Sequence, residues 1–261
     1  MSEPFEPQPI RARDGRLRVE HIMGMPIQID LREGGADPAM LDPAFDWLRL
    51  VDETFSTYKP DSEISRLGRG ELTVSECRPE VDEVLVRAAQ LREETGGFFS
   101  VRATGTLDPS GLVKGWAVGR AAEILSSAGA RNFSINAGGD VVLRGRPAPD
   151  QLWRVGIQHP LQRDKVAAVV AGEDFAIATS GEYERGAHVI DPHTGRPPEG
   201  LLSATIVGPD LATADAYATA AFAMGEAGPR WAATLAGYET LCITTGEVVL
   251  TTPGFALYRA S

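Results

Sequence analysis

In the apolar run Ala214-Asp215-Ala216-Tyr217-Ala218-Thr219, a carboxylate and a hydroxyl stand four residues apart, the spacing that puts both on one face of a helix. The neighbours Ala216, Ala218, Ala220, Ala221 and Phe222 predict burial, and a buried carboxylate requires a cationic partner or a metal. Carboxylate and hydroxyl oxygens are what a hard cation such as magnesium accepts. The residues alone leave a second reading open, with Asp215 in a first helical turn, favoured by the helix dipole. A second stretch, Leu107-Asp108-Pro109-Ser110-Gly111-Leu112-Val113-Lys114-Gly115, offers a lysine and backbone oxygens, the groups that a bound phosphate and its metal need.

Ala137-Gly138-Gly139-Asp140 lies between two expected strands. Its glycines let the backbone turn tightly and approach a ligand with Asp140 beside them; a plain glycine-rich hairpin fits equally well. It is not a GxGxxG fingerprint, and no helix opens after it. Thr179-Ser180-Gly181 has the same two readings, strand-end turn or phosphate donors. Of the four histidines, His21 and His159 sit in strand contexts and read as structural, and His193 falls in the turn Asp191-Pro192-His193-Thr194-Gly195 and reads as exposed. His188 leads into that rigid turn, where an imidazole could face a cleft as a base, with Asp140 or Asp191 to orient it. No GxSxG elbow accompanies any histidine, which disfavours an acyl-transfer hydrolase.

These groups need a frame. Leu17, Val19 and His21, then Ile27, Ile29 and Leu31, alternate with polar residues and predict a bent hairpin around Met23-Gly24-Met25-Pro26. Helical spacing predicts one helix from Asp42-Pro43 to Ser56, a second carrying Val81, Val84, Leu85, Ala88 and Leu91, and a third from Leu112 to Ser126. Thr57 to Glu63 reads as loop. Two further helices are expected over Ala212 to Met224 and Arg230 to Gly237. Strands are expected near 132–136, 141–143, 153–158, 167–171, 175–179, 203–207, 240–244 and 248–251. Hairpin-like pairs outnumber crossovers, so the fold class is α+β with antiparallel sheet rather than a doubly wound parallel sheet.

The chain has 261 residues, 43% of them hydrophobic, enough for one large domain. Residues 1–16 are expected to be a disordered, proline-rich tail, and 17–261 a single domain. A formal net charge of -11 without any basic run argues against a nucleic-acid partner. Any phosphorylated ligand must then be met locally, by a metal, one lysine or arginine and backbone amides. Met1 to Pro9 lacks the basic and apolar regions of a signal peptide, and no stretch reaches the roughly 20 apolar residues of a membrane span. Cys77 and Cys242 have neither metal nor CxxC spacing and read as reduced thiols. The expectation is a cytoplasmic protein.

Seven motifs in order over residues 17–255 resemble the FAD:protein FMN transferases of the ApbE type: Met23-Gly24, Phe55 to Ser65, Leu107 to Trp116, Asn136 to Asp140, Thr179 to Tyr183, His188 to Gly195 and Ala214 to Thr219. The resemblance implies a T-fold-like α+β architecture, mainly antiparallel sheets with flanking helices, its two lobes set around an FAD groove. It implies magnesium-dependent cleavage of FAD, with AMP leaving and FMN joined to a Thr or Ser hydroxyl of an acceptor protein. It places Met23, Tyr58, Asp108, Lys114 and Val189 against FAD, with Phe98, Phe99, Gly138, Gly139 and Asp140 beside the same groove. Asp215, Ala218, Thr219 and the Gly111 carbonyl would hold magnesium; His188 and Asp215 are the catalytic candidates. Two departures lie near the groove. Gly97-Phe98-Phe99-Ser100 stands where members often have Gly-Ala-Phe-Asp, and Met23-Gly24-Met25 where they have Met-Gly-Thr. The competing readings are a magnesium-dependent FAD pyrophosphatase and a non-enzymatic FAD-binding module.

Overall fold

The computed structural model describes residues 16–32, 37–162, 164–181 and 189–259. The expected tail therefore lies outside the described residues, except for Arg16. That residue opens strand β1 (Arg16–Ile22), which pairs antiparallel with β2 (Met25–Leu31). Met23 and Gly24 join them at φ +55° and +73°, the mirror-image turn whose twist suits a hairpin.

Four helices follow: α1 (Asp42–Phe55), α2 (Glu63–Gly68), α3 (Pro79–Glu94) and α4 (Ser110–Ser127). Of the residues at helical spacing, Ala44, Leu48, Val51 and Phe55 of α1 and Val81, Val84, Ala88 and Leu91 of α3 are buried, and Trp47 and Leu85 are half-buried against the same core. The segment after Tyr58 was expected to be loop through Glu63. It becomes helical there because Ser62 caps α2, its hydroxyl accepting the Ser65 amide at 3.1 Å.

The remaining strands are β3 (Phe133–Ala137), β4 (Asp140–Arg144), β5 (Trp153–Gln158), β6 (Val166–Gly172), β7 (Ala176–Gly181), β8 (Leu201–Gly208), β9 (Glu239–Thr244) and β10 (Val249–Thr251). Between β8 and β9 lie α5 (Leu211–Ala223) and α6 (Gly228–Ala232). The expected helix over 230–237 is thus shorter and starts earlier. The Thr234 hydroxyl donates to the Trp231 carbonyl at 2.7 Å, and Gly237 has φ +79°, so the chain turns away from helix.

Eight strands form one antiparallel sheet in the order β1-β2-β3-β4-β7-β8-β9-β10, and β5 and β6 pair separately. Period-two alternation sorts the side chains onto its two faces. Val142, Ala176, Ala178, Ala204, Ile206 and Cys242 join the larger core with the helices, while Val141, Leu143, Ile177, Val207, Leu241 and Ile243 pack with Trp153, Val170 and Phe255. The fold is therefore α+β with mainly antiparallel sheet and flanking helices. Among the described residues no helix is long and apolar enough to cross a membrane.

α5 is apolar around most of its circumference and lies between α4 and strands β7 and β8. A helix of that composition is stable only when covered on all sides. Its first turn is capped by Asp210, whose carboxylate accepts the Thr213 amide at 2.7 Å. Asp210 therefore serves as the cap, and Asp215, one turn further in, does not.

Candidate functional site

A cleft of about 440 Å³ opens where the N-terminus of α4, the middle of α5 and the end of β7 meet. Its size falls within the roughly 300–1,000 Å³ usual for small-molecule sites. Met23, Tyr58, Phe98, Phe99, Asp108, Gly111, Lys114, Val189, Asp215 and Thr219 all line it. Sequence spacing alone had scattered these residues over almost two hundred positions.

The floor of the cleft is built from charge. Lys114, on the second turn of α4, reaches Asp140 Oδ2 at 2.7 Å and stands 3.7 Å from Asp215 Oδ1. Asp140 is fully buried and Asp215 is 2% exposed, whereas the Lys114 side chain keeps 16% of its surface open. Ionised groups so deeply buried are tolerated only when paired.

Asp140 is positioned by the sheet. Strands β4 and β7 pair Val141 with Ile177 and Val142 with Ala176. Extending that register would bring Gly139 opposite Thr179, but Gly138 and Gly139 turn away with φ +59° and +101°. The Asp140 carboxylate takes over instead, Oδ1 accepting the Thr179 amide at 3.1 Å. The two glycines form the hairpin turn itself, with the Gly139 amide donating to Asn136 Oδ1 at 3.0 Å. A Cβ on Gly138 would sit 3.0 Å from Met25 Sδ. Neither glycine nor Asp140 lines the cleft; Asp140 meets it through Lys114 and the Thr179 amide.

Asp215 is held by α4. Its Oδ2 accepts the Gly115 amide at 3.1 Å, the amide that in regular helix points to the carbonyl of Gly111. The approach is possible because Gly115 has no side chain. A Cβ there would lie 2.6 Å from the Leu211 carbonyl oxygen and 2.9 Å from Asp215 Cβ. Gly115 was not singled out by sequence, although a glycine inside a helical pattern costs about 1 kcal/mol against alanine and so signals a packing reason.

One turn beyond Asp215, Thr219 Oγ1 lies 3.3 Å from Ser180 Oγ of β7. A Cβ on Gly111 would lie 3.5 Å from that threonine oxygen and 3.5 Å from the Phe99 ring. The cluster thus sets hydroxyls, a carboxylate and the start of α4 around one space. Ala218 is fully buried and does not line the cleft with its side chain. At the head of α4, Asp108 Oδ1 accepts the Ser110 amide at 3.0 Å.

Aromatic rings stand among the polar lining. Phe55 packs edge-on against Trp116 at 5.6 Å, and Phe98 against His193 at 4.5 Å. His193 is exposed, as expected, yet its Nε2 is 3.1 Å from the Gly96 carbonyl oxygen, which ties the 189–196 segment to the loop carrying Phe98. Tyr58 stands at the rim, 91% exposed. Ser100 and Met25, the departures noted above, both line the cleft. His188 lies outside the described residues; Val189, next to it in sequence, lines the cleft.

Residues 23–105 and 100–242 match the ApbE family. The chain belongs to that family. The matched span contains every candidate site residue named above. Among curated relatives, an FAD:protein FMN transferase of Vibrio cholerae is 34% identical over 165 residues, covering 59% of this chain and 48% of that protein. One of Rhodobacter capsulatus is 30% identical over 230 residues, covering 85% of this chain and 41% of that protein. The chain spans about half the length, or less, of these family members. Solved structures agree on the fold. The ApbE protein of Thermotoga maritima superposes with a TM-score of 0.86 at 22% identity, over 95% of this chain and 100% of that one. The flavin transferase ApbE of Vibrio cholerae superposes at 0.82 and 26% identity, over 94% and 99%.

Proposed function

We propose that this chain binds FAD in the cleft together with Mg2+ and transfers FMN to a Thr or Ser hydroxyl of an acceptor protein, releasing AMP. The observation that carries the reading is Lys114, set at the floor of the cleft between two buried carboxylates in a chain of the ApbE family. Relatives named FAD:protein FMN transferase support it.

The residues present fit a magnesium ion. Among the described residues no three His, Cys, Asp or Glu side chains cluster into a cage of their own. Magnesium does not need one, since it is commonly held by one or two carboxylates, waters and substrate phosphates. Asp215 and Thr219 would hold it, with the carbonyls of Gly111 and Ala218, oxygen donors of the kind a hard dication takes. When bound, Mg2+ would offset the charge that develops on the phosphates as AMP leaves.

The chain's own groups do the rest. Lys114, near the start of α4, meets phosphate oxygens at a helix end whose dipole favours anions. Met23, Tyr58, Phe98, Phe99, Asp108 and Val189 enclose the remainder of FAD. The acceptor oxygen attacks the FMN phosphorus, the bond from that phosphorus to the AMP phosphate breaks, and the hydroxyl proton passes to His188 as general base. Gly138 and Gly139 act by turning the chain, and Asp140 acts through Lys114. Both cysteines are free thiols, which suits a cytoplasmic setting for enzyme and acceptor.

The test is incubation with FAD and Mg2+, with and without candidate acceptor proteins, following AMP and covalent protein flavin. Both should form together, and Asp215→Asn should lower each at least ~100-fold, as expected for loss of a group acting on developing charge. AMP without covalent flavin would make the chain a pyrophosphatase. FAD retention with no AMP would make it a binding module.

A further inference from the structure

The floor of the cleft holds one lysine between two carboxylates, and it does not share that lysine equally. Lys114 Nζ is in ion-pair contact with Asp140 at 2.7 Å and a full ångström further from Asp215, at 3.7 Å. Asp140 cannot follow a ligand. It is fully buried, its other oxygen holds the Thr179 amide, and the Gly138-Gly139 turn fixes where β4 begins. Asp215 is the carboxylate that lines the cleft; Asp140 does not.

We propose that Asp140 is a positioning residue that draws the Lys114 ammonium away from Asp215, so that the Asp215 carboxylate stays available to a divalent cation. Without Asp140, the nearest anion to Lys114 among the described residues is Asp215. An ammonium settled on that carboxylate neutralises it and competes for the same oxygens as the cation. The inference rests on the proposed cation site at Asp215 and concerns how this chain keeps that site open.

The test is a double-mutant cycle read by equilibrium binding rather than turnover. Mn2+ is titrated into FAD-free protein and the free ion is measured by electron paramagnetic resonance. Asp140→Asn is nearly isosteric, and its amide oxygen can still accept from Thr179. It should weaken Mn2+ binding by ~10-fold or more, because a competing cation now sits on the ligand. In a Lys114→Met background the same Asp140→Asn change should alter binding by less than ~3-fold, since the residue through which Asp140 acts is gone. An equal loss in both backgrounds would show that Asp140 acts by its own field and would overturn the proposal. So would unchanged affinity in Asp140→Asn. If that variant fails to fold, the double variant, which leaves no unpaired charge between the two positions, is compared with Lys114→Met alone. A wild-type protein that binds no Mn2+ either without or with FAD present, with Asp215→Asn indistinguishable from it, would remove the cation site and this inference together. Wild-type binding that Asp215→Asn abolishes, with Asp140→Asn unaffected, would remove only the inference.

Discussion

Gly115→Ala should separate two helices and disable the site they share. The added Cβ would fall 2.6 Å from the Leu211 carbonyl oxygen, 2.9 Å from Asp215 Cβ and 3.0 Å from Ala212 Cα. A carbon and a carbonyl oxygen rest at about 3.3 Å or more, so α4 and α5 must part by about 0.7 Å at this point. Overpacking of that kind costs about 1–3 kcal/mol. At about 2–4 °C per kcal/mol for a chain of this size, Tm should fall by about 2–12 °C. The same displacement stretches the 3.1 Å bond from the Gly115 amide to Asp215 Oδ2 beyond hydrogen-bonding range. Hydrogen bonds to charged groups contribute about 1.5–3 kcal/mol, so release of AMP from FAD should drop at least ~10-fold. Gly119→Ala is the control. It lies one turn along α4, where a Cβ meets nothing within 4 Å, and replacing a mid-helix glycine there should raise Tm by relieving about 0.5–1 kcal/mol. Thermal melts and AMP release of the two variants decide the matter. If Gly115→Ala melts and turns over like the wild type, the close approach of α4 and α5 is not what holds Asp215.

His188→Ala in a folded protein should lower transfer to an acceptor by ~100-fold or more at neutral pH, the usual worth of a general base; undiminished transfer would discard the residue as base. The Tyr217 phenol, pushed up to about 12 by burial and then by its hydrogen bond to Glu94, stays protonated in the fold where an unfolded tyrosine ionises near pH 10. Tyr238, packed edge-on at 5.4 Å, is raised by burial as well. The stability they add is fully present below about pH 10 and is lost as pH rises toward 12. Denaturant melts across that window should show the decline, and Tyr217→Phe should flatten it; an identical slope in the variant would contradict the assignment.

Elements with a strong period were legible in the sequence. The stripes of α1 and α3 needed only their own residues, because burial of one helix face leaves a local pattern. α2 left none, since it is short and polar and depends on the Ser62 cap. The expected helix over 230–237 is cut short at Thr234, whose side chain binds the Trp231 carbonyl and helps end the turn. In the site, Asp215 and Thr219 were visible as a pair because helical spacing is a local property. The capping alternative falls to Asp210, five residues earlier. What stayed hidden was the join. Asp140 was read as a residue beside the ligand, since a glycine turn next to an aspartate looks the same from either side. Which way its carboxylate faces depends on β4 pairing with β7, and that register is set by strands thirty-five residues apart.

The charge of the whole chain also reads differently once the site is assembled. A net charge of -11 argues against polyanionic partners, yet the proposed substrate carries two phosphates. The fold resolves this by concentrating its response. One lysine, held by a buried carboxylate, faces the cleft from the second turn of α4, near the helix end whose dipole favours anions. The second carboxylate, lined up by an amide that lacks a neighbouring Cβ to keep it off, leaves room for a dication. An acidic protein built this way binds a phosphorylated ligand only where cation, lysine and helix end coincide. The acidic surface then works against nucleic acids and loose phosphates elsewhere. Affinity for FAD should therefore depend on Mg2+ much more than on bulk salt, the reverse of what a basic phosphate-binding surface shows.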